Sequence, residues 1–418
     1  MSQADILAEE IPALPAGAGK ITWRADLFLA VVTVFLSPIN YLRPDFVYVT
    51  LSDVFAVATL LVMFVQGRLP LHPFGRAATC WYLSVFLLAF GLLIGSAFNG
   101  DIVSGITVTV QYCFSLLIMP ALFLRRERAE VMLLLKIYVL SMVVVMIHGA
   151  YVVEFTPDDF RFVTPNGRLA SLVERENGAA TLTAVAIMFN FWLFLTREIR
   201  FVLFLAFLAP LGWGLLLTGS NTGFFLTGLG FVSLALFSRD LRLIAGVIVG
   251  GAGFLMILYN WGEFFLPEIF MKRVFGALES GDLGQAGTFS DRLFLIREAL
   301  GITKHTLFLG LGADQYRTIS AHEAPVHSTY LLLFAEGGFV SLLGHFGLML
   351  SGILVAWPVW FSRETRMYGA LTFTTIIMFA LVQNGLPHVY ARFWVVPWFL
   401  ALAASLSPEA EAGSGDVN

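Results

Sequence analysis

The chain has 418 residues and a net charge of −4, with 58% hydrophobic but only 13% charged residues. Soluble domains carry roughly 25% charged residues. With a mean hydropathy of +0.81 and 40 phenylalanines, this chain needs lipid as the solvent for much of its surface. The small net charge argues against nucleic-acid binding, which demands a basic stripe. Cys80 and Cys113 both fall inside apolar runs, where they read as packing residues and not as a disulfide pair.

A polar segment, residues 1–24, comes first. It lacks the layout of a cleavable signal peptide, so the first span is expected to act as an uncleaved anchor. Apolar windows of about 17–25 residues then predict spans starting near Ala25, Leu51, Thr79, Gly105, Val131, Gly178, Phe201, Phe224, Leu243, Ser328, Leu371 and Phe393. The expected fold is an all-α polytopic membrane protein of about twelve transmembrane helices, filling residues 25–406. The tail, 407–418, is polar and rich in Ala, Gly and Glu, and is expected to be disordered.

Alternate gaps carry the basic residues: Lys20 and Arg24, Arg68 and Arg76, Arg125-Arg126-Glu127-Arg128, Arg197 and Arg200, Arg239 and Arg242, Arg363 and Arg366. The positive-inside rule makes these loops and both termini cytoplasmic. The opposite loops are short except for two, near 151–177 and 260–327, the second lying before the third-last span. These hold Arg161, Arg168, Arg175, Arg273, Arg292, Arg297 and Arg317. Loops of this length tolerate basic residues on the translocated side, and so many arginines beside a membrane make a candidate anion site.

Five stretches carry candidate chemistry. In Gly167-Arg168-Leu-Ala-Ser-Leu-Val-Glu174-Arg175-Glu176-Asn177-Gly178, Asn177 is placed to cap the following span; Arg168 could equally be a snorkelling surface residue. Leu217-Thr218-Gly219-Ser220-Asn221-Thr222-Gly223 reads first as simple turn chemistry. In Ser290-Asp291-Arg292-Leu-Phe-Leu-Ile-Arg297-Glu298, the two arginines lie about 140° apart on a helix and do not share a face. Asp291 or Glu298 could pair with either, in an interfacial amphipathic helix. Leu309-Gly310-Leu311-Gly312-Ala313-Asp314 is a tight turn that returns the loop to the membrane. In His327-Ser328-Thr329-Tyr330…Ala335-Glu336-Gly337-Gly338, a histidine stands at the mouth of an apolar run and a carboxylate lies inside it. An ionisable group within a span is a functional candidate, and histidine serves as a general base near neutral pH; an interfacial or structural hydrogen bond is the competing explanation for each. The glycine pair is placed to break the helix and leave a half-helix before the main span. No H-x-x-x-H, cysteine cluster or P-loop points to a metal site or to ATP hydrolysis.

In this order, these segments resemble the O-antigen ligase and O-antigen polymerase superfamily. The resemblance rests on Arg168 to Asn177 before a span, the Thr-Gly-Ser-Asn-Thr-Gly turn, Arg292 with the following Gly-Leu-Gly, and above all His327-Ser-Thr-Tyr…Ala-Glu-Gly-Gly. Ser37-Pro38-Ile39-Asn40 and Ser52-Asp53 are similar to exopolysaccharide-type members. The resemblance implies a glycosyltransferase-C-like fold in the inner membrane and metal-independent, inverting glycan transfer on the periplasmic face, without a cofactor. The donor would be a saccharide on undecaprenyl pyrophosphate, and the acceptor a second lipid-linked unit (polymerase, preferred here) or lipid A core (ligase). Other polysaccharide-assembly proteins are the expected partners, together with membrane lipid. Arg168 and Arg292 would grip the pyrophosphate with Arg297 as helper. His327 would be the catalytic base, with Glu336 orienting its segment. One position departs from the family, which commonly carries Arg where this chain has Asn221. A transporter or flippase of lipid-linked glycans is the alternative, with His345 the main polar residue inside a span, and a non-catalytic assembly subunit is a third reading.

Overall fold

The computed structural model describes residues 21–43, 49–275, 289–304 and 306–414. Residues 1–20 of the N-terminal segment, 276–288 of the longer outer loop and 415–418 of the tail lie outside the described residues.

Every one of the twelve apolar segments forms a helix. In chain order these are α1 (Ala25–Leu36), α2 (Leu51–Val65), α3 (Ala78–Asn99), α4 (Ile102–Phe123), α5 (Arg128–Phe155), α6 (Glu176–Leu195), α7 (Phe201–Leu217), α8 (Asn221–Ser238) and α9 (Leu241–Phe265). A further helix, α10 (Phe289–Thr303), lies in the longer of the two long loops. It is followed by α11 (Thr329–Phe361), α12 (Arg366–Val382) and α13 (Arg392–Ser414). Among the described residues, seven helices are long and apolar enough to cross a membrane, so the chain is a membrane-embedded helical bundle. The last helix continues to Ser414, past Ser407 where the polar tail was expected to begin. Ala and Glu after Pro408 are strong helix formers, which accounts for the extension.

The bundle interior is built by α5, α6, α12 and α13, through Tyr138, Phe189, Trp192, Trp398 and Phe399. At the end where α1 and α5 begin, four charges close on one another. Arg24 binds Asp26 (3.1 Å) and Glu130 (2.5 Å), and Arg126 binds the same two carboxylates at 3.1 Å each. Asp26, Arg126 and Glu130 are buried, and the network carries two charges of each sign. It ties α1 to α5. At the opposite end Asn40 fastens the α1–α2 connection to the first long loop, through the carbonyls of Leu172 (2.9 Å) and Val173 (3.1 Å). Asp53 caps α2 by accepting from Thr50 N (2.7 Å) and pairs with Arg392 at the start of α13.

The glycine pair does break α11. Gly338 has φ 67° and ψ −172°, a conformation essentially confined to glycine. The rings of Tyr330 and His345 lie 5.6 Å apart, whereas a straight helix would hold these residues about 22 Å apart. The first half, 329–337, is therefore folded towards the second. Residues 307–313 wedge into the bend. Leu311 N donates to Ala335 O and Gly312 N to Glu336 O, both at 2.8 Å, and Phe339 N donates to Leu307 O, also at 2.8 Å. From α3, the Ser96 hydroxyl accepts from Ala313 N (2.9 Å) and Asn99 Nδ2 donates to Gly310 O (2.7 Å). The backbones approach closely enough that a Cβ on Gly338 would lie 2.2 Å from Phe308 O.

Replacing Gly338 with alanine should destabilise the protein by about 3 kcal/mol or more, since backbone strain of about 1–3 kcal/mol adds to that clash. Gly228, a helical glycine with nothing near its Cβ position, should tolerate alanine to within about 1 kcal/mol. Thermal unfolding of both variants in detergent checks the contrast.

Candidate functional site

The site forms where the two long loops meet the ends of α6, α8, α11 and α12. Arg168 is its most constrained member, buried at 6% exposure. Its Nε donates to Thr218 O (2.9 Å), Nη1 to Glu176 Oε1 (2.7 Å) and Nη2 to Asn177 Oδ1 (2.8 Å). A guanidinium has five N–H donors, so further hydrogens on Nη1 and Nη2 remain for a ligand. The reading of Arg168 as a snorkelling surface residue is therefore set aside.

Asn177 is not the cap of its helix. That position belongs to Arg175, and Asn177 stands inside the first turn of α6. Its Oδ1 accepts from both Arg168 and the Ser220 hydroxyl (3.1 Å), which joins the start of α6 to the start of α8. Ser220 in turn caps α8 by accepting from Gly223 N (3.3 Å). The Gly219–Gly223 turn thus has its expected turn chemistry, and in addition Thr218 supplies an acceptor to Arg168.

Arg292 is half-buried and makes no hydrogen bond or ion pair among the described residues; its Nη1 lies 4.0 Å from a Cβ built on Gly385 after α12. Arg297 is exposed on the other side of α10 and joins none of these contacts. The 140° separation explains why the structure brings in only the first. Glu298 pairs with neither: its carboxylate accepts from Tyr316 Oη (2.8 Å), Ser320 Oγ (2.8 Å) and Ala321 N (3.0 Å). The Asp291 side chain lies outside the described residues.

Arg273 completes the cationic wall. It follows α9 in a short π turn, Met271–Phe275, with its Cδ 3.5 Å from a Cβ built on Gly219. Burial and the fields of Arg273 and Arg292 pull the Arg168 pKa down to about 10, against the pull of Glu176. It remains charged at neutral pH, beside the like charges of Arg273 and Arg292. Sequence reasoning counted Arg273 only as one of seven loop arginines; the glycine-punctuated turn it packs against is too distant in sequence to have ranked it.

His327 precedes Ser328, which caps the first half of α11. Its Nδ1 is buried without a hydrogen-bond partner among the described residues. Burial first, then Arg292 and Arg175, lower its pKa below the usual histidine value, so the imidazole is neutral at pH 7. The next loop pins this segment: Thr329 N donates to Gln383 O (2.9 Å) and Thr329 Oγ1 to Leu386 O (2.8 Å). That loop also brings in His388, missed in the sequence because it stands outside any motif. Burial, with Arg317 and Arg175, lowers its pKa to about 4.

Glu336 is not at this centre. It lies about 13 Å further along the half-helix, buried, with its Oε1 accepting from Tyr316 N (3.2 Å). It makes no hydrogen bond to His327; its bond from Tyr316 N ties the half-helix that follows His327 to the wedge. The arrangement as a whole joins three helix N-termini, at least three arginines and a neutral imidazole. Helix N-termini and arginine both favour anions, and an unpartnered imidazole nitrogen can take a proton.

No protein-family model matches the chain, and no curated protein matches it.

Arg168→Ala leaves Glu176, Asn177 and the Thr218 carbonyl without their shared donor and should cost about 3 kcal/mol. Arg168→Lys should recover only part of this, because one ammonium cannot reach three acceptors in a fork geometry. Chemical or thermal unfolding of the pair measures both.

Proposed function

We propose that the protein is an inner-membrane glycosyltransferase of the O-antigen ligase and polymerase type, with about twelve spans, cytoplasmic termini and the two long loops on the periplasmic face. The observation that carries this reading is a cluster of arginines, Arg168 with Arg273 and Arg292, of which Arg292 also acts on neutral His327. The donor is a saccharide on undecaprenyl pyrophosphate, whose tail stays in lipid while the sugar meets water. The acceptor is a second lipid-linked unit, or lipid A core in the ligase variant.

In the reaction, the acceptor hydroxyl oxygen attacks the anomeric carbon as the bond to the pyrophosphate oxygen breaks. His327 takes the hydroxyl proton, and undecaprenyl pyrophosphate leaves with the bonding electron pair. Charge develops on the leaving group, where preorganised arginines stabilise it most. Arg168 and Arg292 grip the pyrophosphate. Arg273, lying against Gly219, supplies positive charge beside Asn221, where the resembled family commonly has Arg; Arg297, exposed and turned away, drops out as the helper.

His327→Ala and Arg292→Ala should each lower glycan transfer by about 100-fold or more while leaving membrane insertion intact. Incubation with a lipid-linked oligosaccharide alone, then with an acceptor, reads the outcome: a ladder from one substrate marks a polymerase, transfer only onto lipid A core a ligase. Retained transfer in both variants overturns the site. Movement of the substrate between leaflets without new glycosidic bonds replaces the reading with transport.

The pH dependence has a defined sign. A base must be unprotonated, and the His327 pKa is lowered, so the acid limb of the rate profile should lie below pH 6.5. Arg175 contributes to that lowering, so Arg175→Gln should move the limb towards higher pH, as a pH–rate profile of both proteins would record.

A further inference from the structure

Tyr316 belongs to no motif, yet it is fully buried at 0% exposure and held from two directions. Its backbone amide donates to Glu336 Oε1 (3.2 Å) at the bend of α11. Its hydroxyl lies 2.8 Å from Glu298 Oε2 and 3.0 Å from the Leu295 carbonyl, both on α10. Glu298 is fastened further by Ser320 and Ala321. Burial pushes the Glu298 carboxyl up, but the Ala321 amide with the Ser320 and Tyr316 hydroxyls outweighs it and holds the group below its ordinary value.

The ring shares a small core with Leu295, Ala299, Val326, Leu332 and Ala335, separate from the core of the bundle. Leu295 stands one turn from Arg292 on α10, and Val326 immediately precedes His327. One buried side chain thus joins the helix that carries the arginine to the segment that carries the imidazole.

We infer that Tyr316 is a positioning residue, setting the separation of Arg292 and His327 so that a pyrophosphate-sized anion fits between them. This rests on the glycosyltransferase reading for the identity of the anion, but the positioning itself does not. The hydroxyl is the informative atom: Tyr316→Phe keeps the ring in its core and removes only the tie to Glu298 and Leu295.

Three measurements on the full chain in lipid nanodiscs test it. Calorimetric titration with inorganic pyrophosphate should show Tyr316→Phe binding about tenfold more weakly than the native chain, the scale of one hydrogen bond to a charged group. Nitroxides on Arg297→Cys and Asn384→Cys, with Cys80 and Cys113 replaced by Ser, should show a shifted or broadened distance distribution when Tyr316→Phe is added. The donor KM in glycan transfer should rise while the folded fraction stays constant. An unchanged distance distribution with unchanged pyrophosphate affinity per folded molecule overturns the inference; so does an affinity loss that merely follows a loss of folded protein. A native chain that binds no pyrophosphate, but whose label distance still moves in Tyr316→Phe, sinks the glycosyltransferase reading and leaves the positioning role standing.

Discussion

Irregular backbone within a membrane protein needs partners for its amides and carbonyls, because lipid offers none. Residues 307–313 find theirs at the bend of α11, where the helix gives up its own ladder at Gly338. The carbonyls of Ala335 and Glu336 and the amide of Phe339 turn outward to the wedge, and Ser96 and Asn99 of α3 close its other side. Glycine is required at Gly338 by conformation, and on both surfaces by close approach: a Cβ on Gly95 would lie 2.2 Å from Leu309 O. The entire outer end depends on this exchange. The wedge leads into Tyr316, the bend aims the half-helix that starts at Ser328, and His327 follows from both.

The two ends of the bundle treat charge in opposite ways. At the end where α1 and α5 begin, Arg24 and the buried Asp26, Arg126 and Glu130 neutralise one another, which fastens helices and leaves little field outside. At the end that carries the long loops, Arg168 has Glu176 as its close counter-ion, while Arg273 and Arg292 oppose it. Like charges held side by side are unfavourable unless something of the other sign offsets them. Burial, reinforced by Arg292 and Arg175 at His327 and by Arg317 and Arg175 at His388, lowers the pKa of both imidazoles.

Much of this was legible in the sequence. Apolar runs are long and helices are local, so the twelve segments all appear as helices, and the Gly337-Gly338 pair announced the break because glycine acts on the backbone where it stands. The angle between Arg292 and Arg297 on a helix already said that one of them would turn away. What could not be read were the partners across space. Asn177 looked like a cap because its neighbours in sequence suit one; it is instead a bridge to Ser220, 43 residues later. Glu298 looked available to the arginines beside it, but Tyr316, Ser320 and Ala321 reach it first. Glu336 carried the prior of any carboxylate inside a span, yet its burial is answered by a backbone amide and not by the chemistry of His327.

One helix stands apart from all this packing. Only 6% of the apolar window of α9 is buried by protein, so lipid solvates nearly its whole length. Its 25 residues measure about 37 Å, against a hydrocarbon core of about 30 Å. A helix in that position relieves the mismatch by tilting, pivoting on the end where Leu258, Leu266 and Phe270 pack against Leu216 and Phe224. Its outer end runs through Leu266 and Pro267 into the turn that carries Arg273. The thickness of the surrounding bilayer therefore enters the geometry of the cationic wall directly, and lipid composition becomes a structural variable of the site itself.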